Sequence, residues 1–179
     1  NYMSEKYSVS PSGEKFPLPK PEDYKAEFEK IKRRVKQERA KGREIVVVMG
    51  VGFVGAVMAA IIADTVDKKG EPSKFVIGMQ RPSVRSFWKI PLLNRGISPV
   101  KAEDPEVDPM IARCVREKKT LIATYTYDVL KLADVVVVDV QCDYIKEEFG
   151  NVHAGHTDMA ALEASLAIIA EHIPAEALV

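Results

Sequence analysis

The run EIVVVM at residues 44–49 ends directly on GVGFVG at 50–55 and continues as AVMAAIIA at 56–63. Consecutive β-branched residues without polar alternation suit a strand buried on both faces, the condition of a strand inside a parallel sheet. The spacing G-x-G-x-x-G then places a tight turn between that strand and an apolar helix, read as residues 54–66. A parallel partner strand must follow such a crossover. FVIGM at 75–79 supplies it, reached through a polar connection containing Gly70 and Pro72.

The alternation of strand and helix continues along the chain. Residues 120–124 and the run VVVVDV at 135–140 read as strands, and Asp108-Pro109 and residues 128–132 as short helices. Thr157 is expected to cap a helix whose apolar positions Leu162, Leu166, Ile169 and Ala170 share a face. Residues 177–179 look like the start of a further strand. Upstream, Tyr24, Phe28, Ile31 and Val35 recur at three and four residues, the stripe of an amphipathic helix. Pro21, Glu22 and Asp23 suit its first turn, Arg39 and Lys41 its end, and Gly42 its stop. Residues 1–20, polar and Pro-rich without periodicity, read as an extended arm.

With 179 residues, 46% of them hydrophobic, the chain can bury one sizeable core and not two. The expected fold is α/β, a Rossmann-like, doubly wound, mainly parallel sheet with helices on both faces, preceded by an N-terminal helix. The arm and helix occupy residues 1–42, and a nucleotide-binding domain of NAD(P) type occupies 43–179. The 26 basic and 26 acidic residues cancel, so no global field favours nucleic acid or an anionic membrane as a partner. Cys114 and Cys142 lie in no zinc-type spacing and suit a reducing compartment. No signal-peptide pattern or membrane-length apolar stretch is visible, and a cytoplasmic location is expected. His153 and His156, with Asp158 nearby, lack a third ligand at metal spacing, so no metal is expected.

In a parallel sheet of this kind, ligands gather at the carboxyl ends of the strands where the strand order reverses. The glycines sit at such an end. Gly50 permits the tight turn, Gly52 lets a pyrophosphate approach the backbone, and Gly55 lets helix and strand pack closely. The helix N-terminus offers free N–H groups and a favourable dipole to phosphates. The acidic residue expected to hold the adenosine ribose is replaced: after FVIGM come Gln80 and Arg81. Gln80 has the donors and acceptor to bind ribose hydroxyls, and Arg81 can stack on adenine or accept a 2′-phosphate. NAD and NADP both remain open at this point. Asp139, at the end of an apolar strand, requires a hydrogen-bonding partner in the cleft or solvent. Phe87 and Trp88 read as packing a loop over the sheet edge, with base or sugar stacking as the alternative.

LNRGISPV at 93–100, LIAT at 121–124 and DVLKLAD at 128–134 before VVVVDV resemble the UDP-glucose/GDP-mannose dehydrogenase family. Its members read G-x-G-x-V-G, then LN-x-G-x-SP, then an AT-T-x-Y turn, then an ADVV strand, in this order. The resemblance spans residues 44–179 and implies the N-terminal NAD-binding domain of a nucleotide-sugar 6-dehydrogenase. It implies that the glycine loop, with Gly50, Gly52, Phe53, Val54 and Gly55, holds the cofactor pyrophosphate, that Gln80 meets the ribose, and that Thr124 contacts the cofactor. The family's VPTP-like segment near the nicotinamide reads Val140-Gln141-Cys142-Asp143 here, without its prolines. The implied chemistry is oxidation of a sugar C6 alcohol to a carboxylate with two NAD, through a cysteine thiohemiacetal and thioester. The catalytic cysteine of that family, with its lysine and asparagine, lies in a later domain, so none of the catalytic residues is expected within residues 1–179. Cys114 reads as a packing residue, and Cys142 has no evident base.

The same resemblance implies that the nucleotide sugar is bound by domains following this one, with a homo-oligomer possible. Two other readings stay open. One is a stand-alone NAD-binding regulatory module; the other is a two-domain NAD(P)-dependent dehydrogenase of hydroxy-acid or 6-phosphogluconate type.

Overall fold

The computed structural model describes residues 5–140, the backbone of 144–146 and 155–157, and residues 159–179. A short antiparallel hairpin, β1 (Tyr7–Val9) and β2 (Lys15–Pro17), leads into the long helix α1 (Pro21–Ala40). The central succession is β3 (Glu44–Met49), α2 (Phe53–Ala63), β4 (Lys74–Met79), α3 (Lys89–Asn94) and α4 (Val107–Ala112). A π-helical turn, Arg113–Glu117, extends α4. Then come β5 (Leu121–Thr124), a 3-10 helix Tyr127–Leu132 and β6 (Val135–Val138). The short strands β7 (Tyr144–Lys146) and β8 (Gly155–Thr157) pair antiparallel, and α5 (Ala160–His172) follows.

The main sheet has the order β5-β4-β3-β6, all parallel. The chain therefore moves outward from β3 through β4 to β5, then crosses back to place β6 on the other side of β3. Leu178 extends the sheet beyond β6: its N–H donates to the Asp134 carbonyl at 2.9 Å and its carbonyl accepts from Val136 N–H at 2.7 Å. The expected terminal strand is thus one parallel bridge.

Strand periodicity decides which helix covers which face. Ile45, Val47 and Met49 point to the face carrying α1, the 3-10 helix and α5, where Ile31, Val35, Leu130 and Ile169 meet them. Val46 and Val48 point to the opposite face, packed by Ala59, Ala60 and Ala63 of α2, Leu93 of α3 and Ile111 of α4. Each fully buried branched side chain in these layers contributes about 1.5–3 kcal/mol, and Ile45, Val47, Val48, Phe75 and Ile77 are all fully inaccessible. The doubly wound arrangement follows from this two-sided burial. Residues before Gly42 share these cores with the rest, Ile31 and Val35 on one face and Phe16 on the other.

Three expectations are corrected. The extended arm is a hairpin from residue 7 to 17, closed by a turn with Gly13 at φ +91°. Three-residue strands are too short to register as periodic, and their support is tertiary: Phe16 is buried, and Glu14 forms a two-pronged ion pair with Arg95 at 2.7 and 2.9 Å. Thr157 does not cap a helix; it lies in β8, and α5 begins at Ala160 with Met159 at the N-cap. On α5, Leu166 and Ala170 are exposed, and the covered face is Ile169 with half-buried Leu162 and Ile168. Helical spacing gave several stripes on so apolar a helix, and packing against the sheet chose one.

Two polar clusters fasten α1. Asp134 accepts from Arg39 at 2.8 and 2.9 Å and from Ile45 N–H at 2.8 Å, tying α1 and β3 to the start of β6. Glu38 is fully buried and faces Arg34 at 2.9 Å, Lys41 at 3.4 Å and Arg43.

Candidate functional site

Register aligns the carboxyl ends of the sheet: Met49 pairs with Met79 and with Val138, and Met79 with Thr124. Each ladder continues one residue further, through Gly50 N–H to the Met79 carbonyl at 2.7 Å, Gln80 N–H to the Thr124 carbonyl at 3.1 Å and Asp139 N–H to the Met49 carbonyl at 2.9 Å. The crevice between the ends of β3 and β6, where the strand order reverses, is therefore held by backbone hydrogen bonds on both sides.

Over it the glycine loop turns into α2. Gly50 has φ +101°, and a Cβ there would run into the Asp139 carbonyl. At Gly55 a Cβ would overlap the Gly50 carbonyl oxygen and stand 2.8 Å from Asp139 Oδ2. These two glycines let the helix, the turn and the end of β6 pack without side chains between them. Gly52 differs: nothing lies within 4 Å of its Cβ position, so its backbone opens onto the cleft. It is also the N-cap of α2, with no side-chain cap and no acid in the first turn. The first-turn N–H groups thus lack intrahelical acceptors at the positive end of the helix dipole.

The resulting cleft measures about 620 Å³, within the range of small-molecule sites. From β3, β4 and β6 it is lined by Met49, Gly50, Met79, Gln80, Asp139 and Val140, and from α2 by Gly52, Phe53 and Val54. Phe53 and Val54 are 58% and 52% exposed, so what they offer a phosphate is backbone N–H. Gln80 is half-buried, and its Oε1 accepts from Val51 N–H at 3.1 Å, which bolts the glycine loop to β4. Arg81 is exposed on the same wall. The Asp139 carboxylate stands beside Gly55, where the helix end favours it, and among the described residues it is the one acid lining the cleft.

Eight of the ten residues singled out from sequence thus line or shape this cleft. Thr124 does not: it is fully buried, and its hydroxyl donates to Glu27 of α1 at 3.4 Å. Gln141 lies outside the described residues, as do Cys142, Asp143, His153 and Asp158; His156 falls in β8, described by its backbone alone. Among the described residues no three His, Cys, Asp or Glu converge as a metal site. Sequence reasoning missed Lys89, Tyr127, Ala161 and Ser165, which come to the cleft from α3, the 3-10 helix and α5. Lys89 had a signal in the acid-free stretch around it; the α5 residues had none, since only packing brings that helix to the cleft.

Phe87 and Trp88 pack at the sheet edge as expected. Phe87 is buried beside Tyr125, and Trp88 donates from Nε1 to the Arg85 carbonyl at 2.8 Å and from its backbone to Ser8 Oγ at 3.0 Å. Cys114 is buried on the other side of the sheet from α1, its Sγ 3.6 Å from the Ala60 carbonyl and from Asp64 Oδ1. Burial, joined by the negative charge of Asp64, pushes the thiol up to about 11. Because the thiolate is the reactive form, Cys114 is expected to resist alkylation by iodoacetamide in the native chain at pH 8 and to react on unfolding. Peptide mass spectrometry reads this directly, and rapid native labelling at Cys114 would contradict it.

These elements define a Rossmann-like fold, a four-stranded parallel sheet flanked by helices with its cleft at the switch point. No protein-family model matches the sequence, and no curated protein matches it at a significant level. Solved structures do. The chain is similar to an NDP-N-acetyl-D-galactosaminuronic acid dehydrogenase from Methanosarcina mazei Go1, with 26% identity and a TM-score of 0.63, covering 82% of this chain and 28% of that one. It shares the fold of a GDP-mannose dehydrogenase from Pseudomonas aeruginosa (23% identity, TM-score 0.51, 69% of this chain and 24% of that one). It also shares the fold of a UDP-D-ManNAc dehydrogenase from Pyrococcus horikoshii (22%, 0.54, 75% and 27%). All three are nucleotide-sugar dehydrogenases, the group whose motifs the sequence resembles. The chain spans less than a third of the length of each.

Proposed function

We propose that this chain is the cofactor-binding portion of a nucleotide-sugar 6-dehydrogenase. The observation that carries the reading is the glycine loop closed over the β3/β6 crevice, with Gly52 open to the cleft above an uncapped helix N-terminus. The fit to a dinucleotide is steric and electrostatic. Gly50 and Gly55 are filled by neighbouring backbone, whereas Gly52 leaves room for a pyrophosphate against N–H donors. Gly50, Gly52, Phe53, Val54 and Gly55 would hold the pyrophosphate, Gln80 and Arg81 the adenosine ribose, and Val140 the nicotinamide side. Bound there, a nicotinamide dinucleotide supplies the hydride acceptor for alcohol oxidation. The chain's own residues orient it: the ladder bonds fix the strand ends, and Gln80 fixes the loop by holding Val51.

The finer reading rests on the resemblance and on the dehydrogenase names of the structural neighbours. It is oxidation of the C6 alcohol of a UDP- or GDP-sugar to the uronate, using two equivalents of cofactor. The sugar nucleotide and the catalytic cysteine would belong to domains outside these 179 residues, and the protein would act in the cytoplasm, as a homo-oligomer. The test is a substrate panel on the protein as encoded in its source, comparing UDP-sugars, GDP-sugars and 2-hydroxy acids by cofactor reduction. Two equivalents reduced per sugar nucleotide is the expected result. Turnover of hydroxy acids alone would assign another dehydrogenase class, and cofactor binding without turnover would assign a regulatory module.

A further inference from the structure

The ribose end of the cleft departs from what NAD requires. A dinucleotide site that selects NAD places a carboxylate at the end of its second strand, where it accepts hydrogen bonds from the ribose hydroxyls and repels a 2′-phosphate. Here the residue directly after β4 is Gln80, which carries no charge. Its oxygen accepts from Val51 N–H at 3.1 Å, and its amide NH2, a donor, has no hydrogen-bond partner among the described residues. A donor suits a phosphate oxygen.

Beside it the wall is cationic. Arg81 and Lys89 both line the cleft, and among the described residues neither forms an ion pair with a carboxylate. The Lys89 ammonium lies 5.8 Å from the centre of the Trp88 ring, a cation–π contact that places the charge at the cleft wall without neutralising it. From Pro72 to Ala102 the chain contains no Asp or Glu but carries Lys74, Arg81, Arg85, Lys89, Arg95 and Lys101. Lys74 and Arg95 are neutralised by Glu44 and Glu14. Asp23 and Glu27 of α1 accept from Lys20 N–H at 2.7 Å and from the Thr124 hydroxyl at 3.4 Å, and neither lines the cleft. Asp139 stands at the glycine loop, beside Gly55. In a chain whose net charge is zero, two cations without a carboxylate partner among the described residues thus line the cleft beyond the end of β4.

We infer that Gln80, Arg81 and Lys89 make this cleft select the 2′-phosphorylated dinucleotide NADP over NAD. The inference rests on the dinucleotide reading of the cleft and departs from the NAD that the family resemblance implies. Arg81 offers a planar fork matched to phosphate oxygens, and Lys89 a second charge. Ser83 and Ser86, whose hydroxyls are 2.7 Å apart at the loop following Arg81, hold that loop in place, with Ser86 donating to the Arg81 carbonyl at 3.5 Å.

The experiment is titration of the 179-residue chain with NADPH and with NADH, followed by nicotinamide fluorescence at low and high salt. NADPH is expected to bind at least about tenfold tighter, with the gap narrowing as salt screens the phosphate contacts. In the Arg81→Ala/Lys89→Ala double variant the NADPH-to-NADH preference should fall by about tenfold or more, and Gln80→Asp should move it toward NADH. Equal affinities, tighter NADH, or a preference unchanged in the double variant would overturn the inference while leaving the dinucleotide reading intact. Binding of neither would overturn both. Because the first comparison needs no substitution, a variant that failed to fold would not remove the test.

Discussion

Alanine at position 55 is expected to abolish dinucleotide binding, with a loss of at least about a hundredfold, and to destabilise the chain by about 2–4 kcal/mol. The added methyl has nowhere to go. It would overlap the Gly50 carbonyl oxygen and press on Asp139 Oδ2 at 2.8 Å, and the first contact is backbone, which cannot rotate aside as a side chain can. Gly50→Ala should behave alike, because φ +101° is unfavourable to any L side chain and the Asp139 carbonyl fills the space. Gly52→Ala separates structure from binding. Its Cβ would meet nothing within 4 Å, so thermal stability should stay within about 0.5 kcal/mol of the parent while affinity falls where the pyrophosphate would approach. Calorimetric unfolding beside cofactor titration checks all three. Equal destabilisation by Gly52→Ala and Gly55→Ala would show that the loop packs differently, and an unaffected affinity in Gly52→Ala would show that no phosphate lies against it.

The second large effect is expected far from the cleft. Glu38→Gln should cost about 3 kcal/mol, the range for removing one partner of a buried charged cluster. Its carboxylate is fully buried and is the shared ion-pair partner of Arg43, itself 12% exposed, and of the more exposed Arg34 and Lys41. Arg34 also donates to the Lys119 carbonyl at 2.6 Å and lies over the Phe75 ring, so the cluster joins α1 to the sheet. Burial alone would raise the Glu38 carboxyl, but hydrogen bonds from Arg34 and Arg43 outweigh it and hold it below 4.5. Asp64, paired with Arg113 at 2.7 Å and Lys118 at 2.7 Å, is held well below 3.8, first by its hydrogen bond to Arg113. A carboxyl with a depressed folded pKa contributes stability that is complete above its unfolded pKa and is lost as pH falls through the folded one. Stability should therefore decline below about pH 4.5. The gap between Glu38→Gln and the parent should shrink as pH falls from 7 toward 3. Urea denaturation across that range measures it, and a gap independent of pH would mean that the carboxylate charge is not what stabilises α1.

The site was legible where its chemistry is local. Gly50, Gly52 and Gly55 could be assigned roles because a strand, a turn and a helix occur in unbroken succession, and the geometry of that turn is set by residues a few positions apart. Gln80 and Arg81 could be placed because they directly follow a strand of recognisable length. Thr124 could not. Its place at the end of β5 was read correctly, but which way its hydroxyl turns depends on Glu27, nearly a hundred residues away. Lys89, Tyr127 and Ser165 reach the cleft from three separate elements, and no spacing in the chain encodes that meeting. The burial of Glu38 could not be foreseen from its helix alone, since it depends on cations brought together by the fold.

The sequence by itself determined the elements that follow from local pattern and two-sided hydrophobicity: α1 from its stripe, β3, β4 and β6 from their β-branched runs, and the glycine turn between β3 and α2. Those patterns also determined that the sheet is parallel, because strands apolar on both faces need helices above and below. Tertiary structure decided the rest. It chose the buried face of α5, turned the polar arm into a hairpin through Phe16 and the Glu14–Arg95 pair, and ordered the strands so that β6 returned beside β3. The physical reason is range: a strand or turn is fixed by neighbours within one or two turns of chain, whereas a cleft wall is fixed by which distant surfaces exclude water together.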